Sequence, residues 1–281
     1  MPTCRHTKPC TSDLAQIRIF PPQTKPQNMN PNGELTSQLQ PNGVRTITFG
    51  HPAHNSFPSN QLKAAVAAID AAGNDPNTRC IVFRSQGERT FCAGANLDEL
   101  LAIETKPQAK EFFMGFARLI LAMKNCPKPI IVAVQGKAIG GGVGIAAAAD
   151  YCLATEAASV KLSELAIAIG PFVILPALVR KLGVAAASEM SLDTEWHSAK
   201  WAHQHGLYQR LFENVADLTA AAEQLADRLA SHSPTAAAKL KETLWFGTSH
   251  WPRTLEERAA VSGGLVLGAD AKAALVKFKK V

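Results

Sequence analysis

Two short stretches of the 281-residue chain carry residue types and spacings that can do chemistry: Phe91-Cys92-Ala93-Gly94-Ala95-Asn96 and Gly140-Gly141-Gly142-Val143-Gly144. Each follows an apolar, β-rich run, Ile81 to Phe83 in one case and Ile130 to Val134 in the other, and each leads into residues with helical character. Small residues let a ligand approach the backbone, and amides at a helix start point outward with the positive end of the dipole behind them. Two such amides aimed at one oxygen would make an oxyanion hole. The same glycines would equally serve tight turns and close packing, and glycine content alone leaves both readings open.

Other chemistries find less support. Gly142-Val143-Gly144 with Ala147 fits a GxGxxA dinucleotide fingerprint, and Glu164 lies twenty residues beyond Gly144. The fingerprint should begin at the strand end and open a full crossover helix, whereas Lys137, Ala138 and Ile139 intervene and Asp150 soon ends the alanine run. There is no GxSxG elbow, and neither Cys92 nor Cys126 has a histidine signal to make it a nucleophile. His197, His203 and His205 cluster without metal-ligand spacing and read as surface or packing residues, so no metal site is expected.

The elements that must position the two turns alternate along the chain. A hairpin is expected around Pro41-Asn42-Gly43, a helix from about Ser59 to Ala72, a strand from Cys80 to Phe83, a helix from near Leu97, and a strand from Ile130 to Val134. This alternation implies an α/β fold. After Pro107, Phe112, Phe113, Phe116, Leu119, Ile120 and Met123 recur at helical spacing and read as core rather than as an aromatic binding face. Beyond Trp201 the pattern reads as purely helical. Residues 1–32 hold six of the 17 prolines and almost no apolar periodicity, which predicts a disordered extension and makes Met29 a candidate functional start. Three parts are therefore expected: the extension 1–32, a core 33–200 and a helical subdomain 201–281.

Composition excludes fibrous and mostly disordered classes, with 47% hydrophobic and 19% charged residues. The net charge of +6 is spread without any block of like charges, so it argues only weakly for anionic partners such as DNA or RNA. Six cysteines stand singly without a CxxC pair, which predicts reduced thiols and a cytoplasmic setting. Between Lys128 and Asp150 only Lys137 is charged, yet five glycines and Gln135 interrupt the run, so a buried core segment is expected in place of a membrane span. No apolar secretory signal stands at the N-terminus.

At this point the chain resembles the crotonase, or enoyl-CoA hydratase/isomerase, superfamily. The likeness runs from about residue 44 to the C-terminus. It rests on FCAGANLDEL (91–100), PKPIIVAVQGKAIGGGVGIAAAADY (127–151), ASVKLSELAIAIGPFVILPALVRKLG (158–183) and SAKWAHQHGLYQRLF (198–212). It implies a spiral of ββα repeats closed by C-terminal helices, a homo-oligomer that is a trimer or dimer of trimers, and an acyl-CoA thioester substrate with no further cofactor. It also implies that the amides of Ala95 and Gly141 bind the thioester oxygen. Ala93, Gly94, Gly140 and Gly144 would shape the surrounding turns, with Phe57, Leu100, Phe113, Ile139 and Phe172 as acyl-pocket candidates. Phe278 and Lys279 would close over coenzyme A.

The carboxylates then decide the reaction. The familiar hydratases of this fold look to use two glutamates; here the first position is Gly144 and the second is Glu164. A carboxyl among Leu162, Leu165, Ala166 and Ile167 should have a raised pKa and exchange protons near neutrality. Gly144 is expected to leave room beside it. One carboxylate suffices for a 3-to-2 enoyl isomerase. Yet GGGVGIAAAADY followed by LSELAIAIGPFVILPALVRKLG most resembles hydratases of branched or carboxylated enoyl-CoAs, of the methylglutaconyl type, which points to a hydratase. The basic C-terminal Lys277, Lys279 and Lys280 keep a weakly catalytic RNA-binding or scaffold role as an alternative.

Overall fold

The computed structural model describes residues 30–278, with side chains to residue 276. The extension expected at 1–32 and the end of the chain, Lys279 included, therefore fall largely outside the described residues. Strands β1 (Glu34–Leu39) and β2 (Val44–Gly50) pair antiparallel about Gly43, whose φ of 84° is the left-handed conformation that an Asn-Gly turn supplies. From β2 onward the strands are parallel: β3 (Cys80–Ser85), β5 (Ile130–Val134), β7 (Tyr151–Thr155) and β9 (Arg210–Phe212) complete a six-stranded sheet in the order β1-β2-β3-β5-β7-β9.

The crossovers from β3 to β5, β5 to β7 and β7 to β9 each add a short strand to a second, parallel sheet before turning into helix. β4 (Thr90–Cys92), β6 (Lys137–Ile139) and β8 (Val160–Lys161) lie side by side in that order. Helices α1 (Ser59–Asn74), α2 (Leu97–Leu101), α3 (Lys106–Asn125), α4 (Gly141–Ala148) and α5 (Leu175–Leu192, broken at Gly183) fill the spiral. Their starts follow from sequence: Asn96 caps α2 through the Glu99 amide, and Thr105 with Gln108 forms a capping box on α3 with Pro107 in its first turn.

Alternation sorts the sheet residues by face. Ile47, Phe49, Ile81, Phe83, Ile130, Val132 and Val134 point inward with α1, α3 and α4, where Phe49 packs on Phe57, Phe83 and Phe91 at centroid distances of 4.4, 5.3 and 5.5 Å. Val44, Cys80, Val82, Ile131, Ala133 and Leu153 face outward, covered by Leu218, Ala222 and Ala226 of α7 (Val215–Ser231). β5 is buried on both faces, which explains its unbroken apolar run. The purely helical pattern expected beyond Trp201 is corrected here. After α6 (Ala199–Gln204) the chain returns to the main sheet as β9, paired with β7, before α7 seals the sheet's outer face. Three residues carry too little period to announce a strand.

The last helices are α8 (Pro234–Leu244), α9 (Trp251–Val266) and α10 (Ala269–Phe278). Among the described residues no single helix is long and apolar enough to cross a membrane. A buried ion pair fixes α8 to the sheet. Lys241 Nζ lies 2.7 Å from Asp150 and also donates to the carbonyls of Met123 and Lys128, while Asp150 accepts from the Ile130 amide and Trp245 Nε1. Removing one partner strands the other charge, so Lys241→Met is expected to cost about 3–5 kcal/mol in denaturant unfolding. Asp150→Asn added to Lys241→Met should recover part of that loss.

Candidate active site

Parallel pairing of β4, β6 and β8 brings three turns to the carboxyl ends of neighbouring strands: Ala93-Gly94-Ala95 after β4, Gly140-Gly141 after β6, and Leu162-Ser163-Glu164 after β8. In parallel α/β sheets this is where ligands bind. The first turn leans on the second. A Cβ on Gly94, whose φ is 86°, would stand 3.2 Å from the Ile139 carbonyl and 3.7 Å from the Gly141 amide nitrogen. The second leans on the third: the Gly140 amide donates to the Lys161 carbonyl at 2.9 Å, and a Cβ on Gly140 would meet Glu164 Oε1 at 2.7 Å. Glycine at 140 is therefore required twice, by its φ of 53° and by the carboxylate beside it.

The backbone around the first turn is used up. Ala93 N donates to His54 O, Gly94 N to Cys92 Sγ, and Gly94 O accepts from Phe57 N at 2.8 Å. Among the described residues nothing accepts from the Ala95 amide or from that of Gly141, the first residue of α4 and so beyond the reach of its helix's own carbonyls. Two unsatisfied donors on touching turns, one carrying the helix dipole, are the parts of an oxyanion hole. Aromatic packing joins them. The Phe57 backbone bridges Ala95, its ring meets Phe116 edge-on at 6.2 Å, and the Phe116 ring covers the space beside the Gly141 Cα.

Glu164 completes the cluster. Its carbonyl anchors the following 3₁₀ turn, Leu165–Ile167, through the amides of Ile167 and Ile169, and that turn closes at Ala168 in the left-handed region (φ 57°, ψ 29°). Part of the residue is exposed, but carboxylate Oε2 is buried and has no hydrogen-bond partner among the described residues. Burial raises the carboxyl's pKa from 4.5 to about 7, against the opposing pull of the Glu164 and Ser163 amides. It can thus exist near neutrality as either acid or base.

Not every residue singled out by sequence joins this cluster. Leu100 packs nearby with Ile167, Ile169 and Phe113, under Ala271 and Leu275 of α10. Phe172, expected as acyl-pocket lining, follows the left-handed Gly170 and lines a groove of about 750 Å³ with Leu175, Arg180, Leu244, Phe246 and Trp251. Phe278 ends α10, and Lys279 is outside the described residues. The room expected beside Gly144 is also corrected, because a Cβ there would lie 2.5 Å from Ile174 Cγ2. Burial pushes the Cys92 thiol to about 12, which removes it as a nucleophile, and the histidine cluster is a stack in which Trp201 lies 4.3 Å from both His197 and His205. Ile174 and the service of Phe116 to Gly141 escaped sequence reasoning; Phe116 announced itself only as one residue of a core stripe.

The Enoyl-CoA hydratase/isomerase family model matches residues 40–266. The chain belongs to this family. Within it, the chain is 30% identical to a probable enoyl-CoA hydratase of Bacillus subtilis (strain 168) over 84% of its own length and 92% of that protein's. It is 29% identical to the short-chain-enoyl-CoA hydratase of Clostridium acetobutylicum, covering 72% and 77%. Among solved structures, an enoyl-CoA hydratase from Mycobacterium avium superposes with a TM-score of 0.78 at 27% identity, covering 90% of this chain and 97% of that one. The ββα spiral expected from the family resemblance is the fold observed.

A neutral carboxyl below about pH 7 sets the sign of a stability effect. In the unfolded chain Glu164 ionises from its ordinary 4.5, whereas the folded protein resists until about 7, so its contribution to stability falls as pH rises across that window. Glu164→Gln is expected to melt like the parent near pH 4 and above it at pH 8, by an amount corresponding to roughly 3 kcal/mol. Thermal melts at the two pH values check this.

Proposed function

We propose that the chain is an enoyl-CoA hydratase in which Ala95 and Gly141 amides hold the thioester oxygen and Glu164 moves the proton. The observation that carries the reading is the Glu164 carboxyl, whose buried Oε2 has no hydrogen-bond partner among the described residues, set against the Gly140-Gly141 turn. As water adds to C3, electron density moves onto the thioester oxygen, where the two amides receive it. One carboxyl suffices if it takes the proton from the attacking water and returns it to C2. Coenzyme A enters only as part of the substrate.

A second reading, 3-to-2 enoyl isomerisation, is favoured by one observation: Ile174 stands beside Gly144, so that position 144 offers Glu164 no second carboxylate. There Glu164 would take a proton from C2 and return one to C4. Incubation with a panel of 2-enoyl and 3-enoyl acyl-CoAs, straight and branched, separates the two, because hydration adds the mass of water and isomerisation adds none. Hydrated product is expected, and Glu164→Gln should lower turnover by about 10²-fold or more with thioester binding retained. Salt-sensitive RNA binding with no thioester binding would replace both readings with a scaffold role.

We also infer a cytoplasmic homo-oligomer, a trimer or dimer of trimers. Trp245, Trp251 and Val266 are buried within the chain, but Leu240, Leu244, Val261, Leu265 and Phe246, the last 90% exposed, leave an apolar surface on the closing helices that a second copy would cover.

The oxyanion assignment has its own test. Ala95→Pro removes the amide hydrogen, and turnover is expected to fall by roughly 10²-fold or more in protein whose melting curve shows it folded. Ala95→Ser, which keeps the amide, should stay close to the parent. Equal activity in the proline variant would exclude that amide.

A further inference from the structure

Opposite the polar turns, the active site has an apolar side. Gly144 sits one turn after Gly140, whose carbonyl accepts from the Gly144 amide at 3.2 Å. Where a Cβ on Gly140 would meet the Glu164 carboxylate, one on Gly144 would meet Ile174 Cγ2 at 2.5 Å, Ile174 Cβ at 2.9 Å and Ile120 Cδ1 at 3.7 Å. Gly140 is the N-cap of α4 and Gly144 lies in its first turn, so the carboxyl stands by the residue that opens the helix and the isoleucine by one just inside it. Ile174 and Ile120 are buried, and Phe116, one turn before Ile120 on α3, continues the apolar surface to Gly141. The Ile174 carbonyl accepts from the amides of Ala177 and Leu178, which anchors this residue at the start of α5.

We propose that Ile174 is a specificity-determining residue of this site: beside Gly144 it fills the place from which a second polar group would face the reacting carbons, and so leaves proton transfer to Glu164 alone. This rests on Glu164 being the acid/base. Glycine at 144 is on this account a packing requirement first, since even a methyl group there meets the isoleucine. An acid introduced at 144 must displace Ile174 before it can reach the substrate. The wall therefore decides that the place beside Gly144 holds neither a carboxyl nor a polar anchor for water.

The test is a pair of double-mutant cycles on the full chain. Melting temperatures of the parent, Gly144→Ala, Ile174→Ala and the double variant read the packing claim. The loss caused by Gly144→Ala is expected to shrink by about half or more when Ile174 is already alanine. Additive losses would overturn the claim that Ile174 occupies this place, whatever the enzyme's activity. Gly144→Glu, Ile174→Ala and their combination, offered 2-enoyl and 3-enoyl acyl-CoAs, read the chemistry. The ratio of hydrated to isomerised product is expected to rise roughly tenfold in the combination alone, with a second ionisation in its pH profile. Coupled melting temperatures with an unchanged product ratio would reduce Ile174 to a packing residue. If the parent turns over no acyl-CoA at all, the functional reading fails while the melting cycle still reads the steric one.

Discussion

The site depends on the parallel pairing of three strands that are only two or three residues long. Because β4, β6 and β8 run in the same direction, with Cys92 beside Ala138 after a register shift in β4 and Ile139 beside Lys161, their following turns emerge side by side. So few ladder bonds would not hold strands in water. They persist here because each is a continuation of the crossover from a strand of the large sheet, whose inner face and aromatic cluster supply the burial. Gly94 and Gly140 then follow as necessities of turns packed against one another and against a carboxylate.

Two carboxyls in the interior of this protein meet opposite fates. Asp150 is met by an ammonium, a backbone amide and an indole N–H, and it ties α8 to β5. Glu164 has a buried oxygen with no partner among the described residues and lies beside the bare backbone of Gly140. Satisfied, a buried carboxylate is structural; unsatisfied, it resists ionisation and exchanges protons near neutrality. Ala168 in a left-handed conformation is a local strain kept at the same turn.

Aromatic neighbours also hold the two glycine turns. Phe57 touches one turn through its backbone and Phe116 the other through its ring, and the two rings meet edge-on. Donors held this way need no reorganisation when charge develops on a bound oxygen, which is the condition under which an amide contributes most to lowering a barrier.

The sequence by itself determined the elements that carry a period or a turn chemistry. The Asn42-Gly43 hairpin, the apolar run of β5, the Thr105 cap and apolar stripe of α3, and the two glycine turns are all local patterns, and the family motifs added the likeness to a thioester-binding fold. The apolar neighbours of Glu164 suggested burial, but Leu165 and Ala166 are exposed, and it is carboxylate Oε2 that the fold buries. Only the tertiary structure decided that β9 returns to the sheet, that Phe172 shares a groove with Leu244 and Trp251, and that Ile174 stands against Gly144. Strands of two or three residues have no readable period, and the meeting of residues 144 and 174 is set by how α4 and α5 pack. Whether a glycine faces open space or a side chain is a property of the assembled core, where each position's neighbours come from distant parts of the chain.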